Sequence, residues 1–525
     1  MELDWSKYIR KKTAAELDEN QNEEVFSNNL LITTRTIKEY FEGTSVFVTG
    51  STGFLGKVLI EKLLRSCTGV EKIYILLRPK RGLRSEQRFE EFTKNQIFDN
   101  VREKTPEVLH KLVCIPGDIN EPNLGLSASD TKTLENHVDI VFHVAATVRF
   151  NEALKDAANL NTFGTQRVME LCLGMSNLKS LVHVSTAYSN PYLRNVDERV
   201  YGSIDAKDHQ MFINGVGVLP DEFVDTIASR FQKQHPNTYT LTKHVAEQIV
   251  AEFYKKLPIS IVRPSIVTAA NMEPFPGWID NIYGITGILM EIGRGTISSV
   301  KGVNDYVVDL IPVDIVCNTI IKAAWANSFT RTEHVPVYNC TSGQVSPFKW
   351  SGLANGIMKY ARKNPSKYIM MYPRFSYTTS NFVHWVIETF LHFLPAMVFD
   401  GMLKLQGKKA FMFKLAKRLK LAIDTGTYFA LHEWNFETRN LRRLTKAAEE
   451  TQLDAHEFNS NMQNMDWDAY MEKYMMGIRT YVLKDDISSL PKARKKLQKI
   501  IWTKRIFQLV LLALLQYAIF FSFWK

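Results

Sequence analysis

Three glycines set the strongest constraint on this chain. They stand in Gly50-Ser51-Thr52-Gly53-Phe54-Leu55-Gly56, directly behind the β-rich run Ser45-Val46-Phe47-Val48-Thr49. Leu55, Leu59, Ile60, Leu63 and Leu64 follow at helical spacing. A strand that turns on glycines into a helix gathers free backbone amides and the positive end of the helix dipole at one point, which suits a pyrophosphate. Glycine is needed there because the backbone must turn tightly and come close to the anion. The residues Thr49, Gly50, Ser51, Thr52, Gly53, Phe54, Leu55 and Gly56 are therefore expected to hold a dinucleotide.

Short apolar, β-branched runs recur behind this loop at 72–77, 112–115, 139–144, 180–185 and 259–262, separated by helical stretches. Strands alternating with helices predict an α/β fold with a doubly wound parallel sheet of the Rossmann type. The GxxGxxG spacing is similar to that of the extended short-chain dehydrogenases. Past Gly343 the strand signals thin out, and 358–483 reads as helices rich in aromatic residues and methionine. The expected division is a polar extension at 1–42, a dinucleotide-binding reductase domain at 43–345, a smaller helical domain at 346–490, a basic segment at 491–505 and an apolar helix at 506–524.

That last helix is predicted to anchor the chain in a membrane. Nineteen residues from Ile506 to Trp524 carry no charge, and as a helix they would reach roughly 28 Å, close to the hydrocarbon thickness of a bilayer. Lys492, Arg494, Lys495, Lys496, Lys499, Lys504 and Arg505 precede them and suit an anionic cytosolic leaflet. This flank accounts for part of the formal net charge of +10, so no nucleic-acid partner is expected. The start, Met1 to Leu17, is polar and unlike a signal peptide. The five cysteines are scattered, with no CxxC pair, which points to reduced thiols and to no metal site.

The ends of the predicted strands supply the rest of a site. Enzymes that use NAD place a carboxylate after the second strand for the ribose 2′-hydroxyl. Here that position is Arg78, with Lys80, Arg81 and Arg84 behind it. A guanidinium can bind a 2′-phosphate bidentately, so NADPH is the expected cofactor. Asp118, followed by Ile119, can accept from the adenine amino group. The small Ala145 and Ala146 let a dinucleotide lie against the backbone, and Arg263-Pro264 reads as a further wall of the cofactor site. Among catalytic candidates, Ser185 and Thr186 end the fifth strand, while Tyr239 and Lys243 stand four apart on one helical face. Tyr239 is expected to act as general acid, its pKa drawn down by the Lys243 ammonium, while Thr186 shares the substrate oxygen. Asn161 is expected to anchor a water chain to Lys243.

Several longer stretches carry a resemblance. Val48 through Lys57, Ala145-Ala146-Thr147-Val148-Arg149-Phe150, Val184-Ser185-Thr186-Ala187-Tyr188, Tyr239 through Lys243 and Val262 through Val267 resemble the alcohol-forming fatty acyl-CoA reductases of animals. So do Glu273-Pro274-Phe275-Pro276-Gly277-Trp278-Ile279-Asp280-Asn281, Val337-Tyr338-Asn339-Cys340, residues 473–483 and the run from Leu490 to Lys495. The likeness covers nearly all of the chain after about residue 41. It implies a long-chain acyl-CoA substrate, two equivalents of NADPH and a fatty alcohol made through an aldehyde, for wax, ether-lipid or pheromone-type metabolism. It also implies a cytosolic catalytic domain at the membrane of the endoplasmic reticulum or the peroxisome, with the helical domain covering an acyl tunnel. No cysteine lies in the catalytic motifs, so direct hydride transfer without an acyl-enzyme is expected. A membrane-bound sterol or lipid dehydrogenase and an inactive NADP-binding regulator are the competing readings.

Overall fold

The computed structural model describes residues 35–80, 82–202, 206–231, 234–327, 329, 331–450 and 456–523. Seven strands form one parallel sheet: β1 (Ser45–Thr49), β2 (Lys72–Leu77), β3 (Leu112–Pro116), β4 (Ile140–His143), β5 (Ser180–Val184), β6 (Ile259–Pro264) and β7 (Val337–Cys340). Their order across the sheet is β7-β6-β5-β4-β1-β2-β3, so the chain winds outward from β1 in one direction and then from β4 in the other. Such a reversal leaves a crevice at the carboxyl ends of β1 and β4. The expected doubly wound sheet is therefore present. β7 was absent from the expected strands, being only four residues long and lacking alternation.

Both faces of the sheet are buried. Phe47, Val141, Leu181 and Ile261 share a core with Val168, Met169 and Cys172 of the helix Gly164–Leu173 and with Val250 of a later helix. Phe142 points to the opposite face, as strand alternation requires, and stacks on Phe41 with ring centroids 6.5 Å apart. Phe41 belongs to a short helix, Ile37–Phe41, whose N-cap Thr36 and Glu39 form a capping box. The folded part of the chain thus begins inside the expected polar extension, because Ile37, Tyr40 and Phe41 are core residues. Residues 1–34 lie outside the described residues.

Two compact units divide the chain, and neither is continuous. Unit 1 comprises Met1–Val267, Asp309–Val345 and Trp434–Gln463; unit 2 comprises Thr268–Val308, Ser346–Glu433 and Asn464–Lys525. This differs from a single break near residue 345. The segment after Trp434 returns to unit 1 as a strand, Asn435–Phe436, paired with Asn195–Val196, and as a helix, Arg439–Glu450. In unit 1 the loop helices that matter below are α1 (Phe54–Ser66), α2 (Ser85–Thr93) and α3 (Thr238–Phe253).

Unit 2 is mainly helical. Its centre is the helix Trp467–Gly477, whose Tyr470 hydroxyl lies 2.6 Å from Thr268 Oγ1 and donates to the Ala269 carbonyl at 2.7 Å. The stretch Glu273 through Asn281 lies in this unit too. A Cβ on Gly277, which has a φ of +78°, would stand 2.2 Å from the Lys473 carbonyl oxygen, so only glycine permits this contact. Trp278 then packs on Tyr481 at 4.8 Å between ring centroids. Farther along are α4 (Asn381–Ile387), a wide helical turn Glu388–Phe393, α5 (Leu394–Leu405) and α6 (Met412–Ala430). The chain closes with α7 (Leu490–Phe523), one unbroken helix of 34 residues that holds both the basic segment and the apolar run as far as Phe523.

Candidate active site

The glycine loop lies where β1 hands over to α1. Gly50 has a φ of +73°, and a Cβ there would meet the Ala145 backbone nitrogen at 2.6 Å. The β1 and β4 ends thus approach so closely that no side chain fits between them. A Cβ on Gly56 would stand 2.3 Å from the Gly50 carbonyl oxygen, which keeps the first turn of α1 tight against the loop. Gly53 serves as N-cap without a side chain to occupy the helix amides. Thr49 fixes the crossing: its hydroxyl is 2.8 Å from His143 Nδ1 and accepts from Ala145 N at 3.3 Å. The buried Ser51 hydroxyl donates to the Leu76 carbonyl. Thr52, Phe54 and Leu55 complete the turn. This cradle fits a dinucleotide pyrophosphate.

At the edge of that cradle the Arg78 guanidinium donates to Asp118 at 3.3 Å. The two side chains expected to serve the ribose phosphate and the adenine are therefore neighbours, with Ile119 buried behind them. A residue not singled out from the sequence joins them. Arg88, on α2, donates to the Arg78 carbonyl and, at 3.4 Å, to Thr52 Oγ1. Burial first, and the Arg78 charge second, hold its guanidinium below the usual arginine range. Arg88 stands ten positions past Arg78, and only the turn into α2 brings it back to the glycine loop.

The catalytic candidates gather at the end of β5. Asn237 caps α3 by accepting from Thr240 N at 2.9 Å, which sets Tyr239 in the first turn and Lys243 one turn later. The Tyr239 ring stacks on Phe150 at 5.8 Å. Burial pushes its hydroxyl up to about 12, a hydrogen bond from Thr186 pulls it back, and Glu247 adds to the rise. This overturns the expected downward pull by Lys243. The ammonium instead donates to the Val184 carbonyl at 2.8 Å, and burial pushes it down to about 8. Tyr239 is consequently fully protonated at neutral pH, the state a proton donor needs. Ser185 is buried with its hydroxyl unpartnered among the described residues.

Asn161 meets the helix of Lys243 at the neighbouring Thr242. It is buried in a wide helical turn, donates to Thr242 Oγ1 at 3.0 Å and exchanges two hydrogen bonds with the backbone of Thr147. It ties the loop after Ala145 and Ala146 to α3. Arg263 differs more. Its guanidinium is wholly buried, binds Glu247 at 2.7 and 2.8 Å, and donates to the carbonyls of Asp197 and Arg199. That side chain is a clamp on α3, and only the backbone of Arg263 and Pro264 remains for lining a site. Beneath the site lie His143 and His183, with ring centroids 5.1 Å apart. His143 is held between Thr49 and Thr165, whereas neither ring nitrogen of His183 has a partner among the described residues.

Known proteins resemble this chain over most of its length. Two family models, both described as male sterility protein, match residues 48–320 and 391–485. Fatty acyl-CoA reductase 1 of Xenopus laevis is 38% identical over 465 residues, covering 89% of this chain and 90% of that protein. Its counterpart in Homo sapiens is 37% identical over the same shares, and fatty acyl-CoA reductase 2 of Mus musculus is 35% identical over 88% of this chain and 89% of that one. Among solved structures, the terminal reductase domain of the myxalamid synthesis pathway superposes with a TM-score of 0.56 at 19% identity, over 83% of this chain and 90% of that one. The reductase domain of a Mycobacterium tuberculosis peptide synthetase gives 0.56 at 15% identity, over 87% and 96%. These two likenesses concern the fold.

Proposed function

Since the chain belongs to the fatty acyl-CoA reductase family, we propose that its site reduces a long-chain acyl-CoA to the fatty alcohol with two equivalents of NADPH. The observation that carries this reading is the convergence of Thr186, Tyr239 and Lys243 at the end of β5, beside the glycine cradle. Arg78 and Arg88, two guanidiniums at the rim of that cradle, support NADPH, since together they offer the charge that a 2′-phosphate requires.

NADPH bound along Gly50 to Gly56 supplies the hydride. The chain's own residues deal with the oxygen and the proton. As the thioester carbonyl carbon gains hydride, its oxygen takes negative charge, and Thr186 and Tyr239 donate hydrogen bonds to it. The hemithioacetal then collapses: its C–S bond breaks, CoA departs as a thiolate that takes up a proton, and the aldehyde remains. In the second round Tyr239 holds the aldehyde oxygen and gives it a proton as the carbon is reduced. Lys243, pinned under Val184, keeps a positive charge close to both events.

The substrate's long alkyl chain explains a membrane location. Trp502, Ile506, Phe507, Leu509, Leu514 and Phe520 are exposed along α7, a helix more than long enough to cross a bilayer. We read it as an anchor with the catalytic units on the cytosolic side of the endoplasmic reticulum or peroxisomal membrane. Incubating the full chain with palmitoyl-CoA and NADPH tests the function. Hexadecanol and free CoA are expected, and the absence of both alcohol and aldehyde would refute it.

A further inference from the structure

Unit 2 carries a second apolar surface, distinct from α7. From Asn381 to Leu405 the chain is 25 residues of nearly continuous helix, long and apolar enough to cross a membrane by composition, and only 17% of its apolar 18-residue window is buried. Phe382, Trp385, Phe390, Val398, Met402 and Leu405 are all more than half exposed, Leu405 at 90%. A patch of this kind is not left to water without a partner.

The ends of the segment decide how it meets that partner. α4 follows the strand Ser376–Thr378, which pairs with Ser299–Lys301. After α5 the chain turns near Gly407 and returns along α6, whose last residue, Ala430, accepts from Val303 N at 3.0 Å. Both ends of the hairpin therefore come back to the same small sheet. A spanning helix would leave its ends on opposite sides, and α6 carries Lys414, Lys417, Arg418, Lys420 and Asp424, which the hydrocarbon would exclude.

Charge identifies the partner. Residues 381–421 contain two carboxylates, and both are engaged inside the hairpin. Glu388 binds Lys420 at 2.8 and 3.0 Å, and Asp400 accepts from the backbone of Phe411, Met412 and Phe413 at 2.9 Å each. Lys404, Lys408, Lys409, Lys414, Lys417 and Arg418 are left as a rim of one sign around the turn. An apolar face bordered by basic residues matches an interface that is hydrocarbon inside and anionic at its surface.

We propose that the hairpin of α4, α5 and α6 lies in the plane of an anionic bilayer surface, with Val398 and Leu405 reaching the acyl chains and the lysines at the headgroups. The test uses the full chain in vesicles of phosphatidylcholine and phosphatidylserine, with an environment-sensitive NBD label on Val398→Cys or Leu405→Cys and, as a control, on Glu107→Cys in unit 1. NBD emission at 398 and 405 is expected to shift to the blue, rise several-fold and be quenched by lipids carrying a nitroxide on the acyl chain, while position 107 reports water. Emission typical of water at 398 and 405 would overturn the proposal. So would a bright signal that nitroxide lipids do not quench, because a second copy of the chain would then cover the face. Equal quenching in vesicles of phosphatidylcholine alone would overturn the anionic part. None of these readouts depends on turnover, so a failed reductase assay would leave the result interpretable.

Discussion

Lys243 gives its ammonium hydrogen bond to the carbonyl oxygen of Val184, 2.8 Å away at the last residue of β5. The contact ties α3 to the sheet and, in the proposed mechanism, separates two jobs: Lys243 supplies charge, and Tyr239 supplies the proton. Tyr239→Phe should therefore lower kcat by roughly 10²- to 10⁴-fold while leaving NADPH affinity unchanged. Product analysis beside a fluorescence titration of NADPH checks it, and a mutant that still makes alcohol at the normal rate would remove Tyr239 from the mechanism.

The Lys243 ammonium, pushed down to about 8, gives a pH signature. Its charge disappears as pH rises through about 8, so kcat should fall across that range and not near the ordinary lysine value of 10.5. Stability moves the other way. The folded chain binds fewer protons than the unfolded one between about 8 and 10.5, so the cost of burying this charge is full below 8 and fades as pH rises through that window. A rate profile and a series of denaturant melts over the same pH values should diverge accordingly.

Acid should act through the buried histidines. Burial pushes His143 down to about 3 and His183 well below the usual 6.5, so both stay neutral in the fold while the unfolded chain takes up protons below about 6.5. Stability should fall as pH drops, by about 2 kcal/mol for His143 at about pH 5, with His183 adding in the same direction. Among the described residues His183 has no hydrogen bond to lose, so His183→Leu should fold at least as stably at neutral pH and lose less on acidification. Urea unfolding of both proteins at neutral and acid pH measures the difference.

The pair Arg263 and Glu247 is buried on both sides. Glu247→Gln would leave a guanidinium in the core facing a neutral amide, a loss of about 3–5 kcal/mol. A drop in Tm of several degrees with no change in cofactor preference is the expected result. A changed NADPH affinity in a well-folded variant would instead return Arg263 to the cofactor site.

Arg78→Ala and Arg88→Ala should each raise the KM for NADPH by about 10- to 100-fold, since a charge-assisted hydrogen bond contributes about 1.5–3 kcal/mol. The KM for NADH should hardly move. Equal losses with both cofactors would show that the guanidiniums serve the fold and not the 2′-phosphate.

Much of this site was legible in the sequence, for reasons that vary with the residue. The glycine loop was readable because strand, turn and helix signals coincide within a dozen positions, and β1 and β2 lie at 45–49 and 72–77, where the β-branched runs place them. Arg88 was not readable, since its contact with Thr52 spans 36 positions and depends on the path of α2. Arg263 misled because a polar residue at a strand end reads as lining, and nothing local reveals that Glu247 waits on the preceding helix. The rise at Tyr239 follows from desolvation, which no spacing rule reports.

The five passages of the chain between its two units have a consequence for how such a protein can be made or lost. Helix Arg439–Glu450 and strand Asn435–Phe436 complete unit 1, yet a ribosome reaches them only after all of 346–433 has been synthesised. Unit 1 therefore cannot finish folding until that late segment has emerged, and it waits with Asn195 and Val196 unpaired. A premature stop anywhere before residue 434 removes more than the tail: it leaves the reductase half itself unfinished. Neither unit can be inherited, spliced or expressed without part of the other.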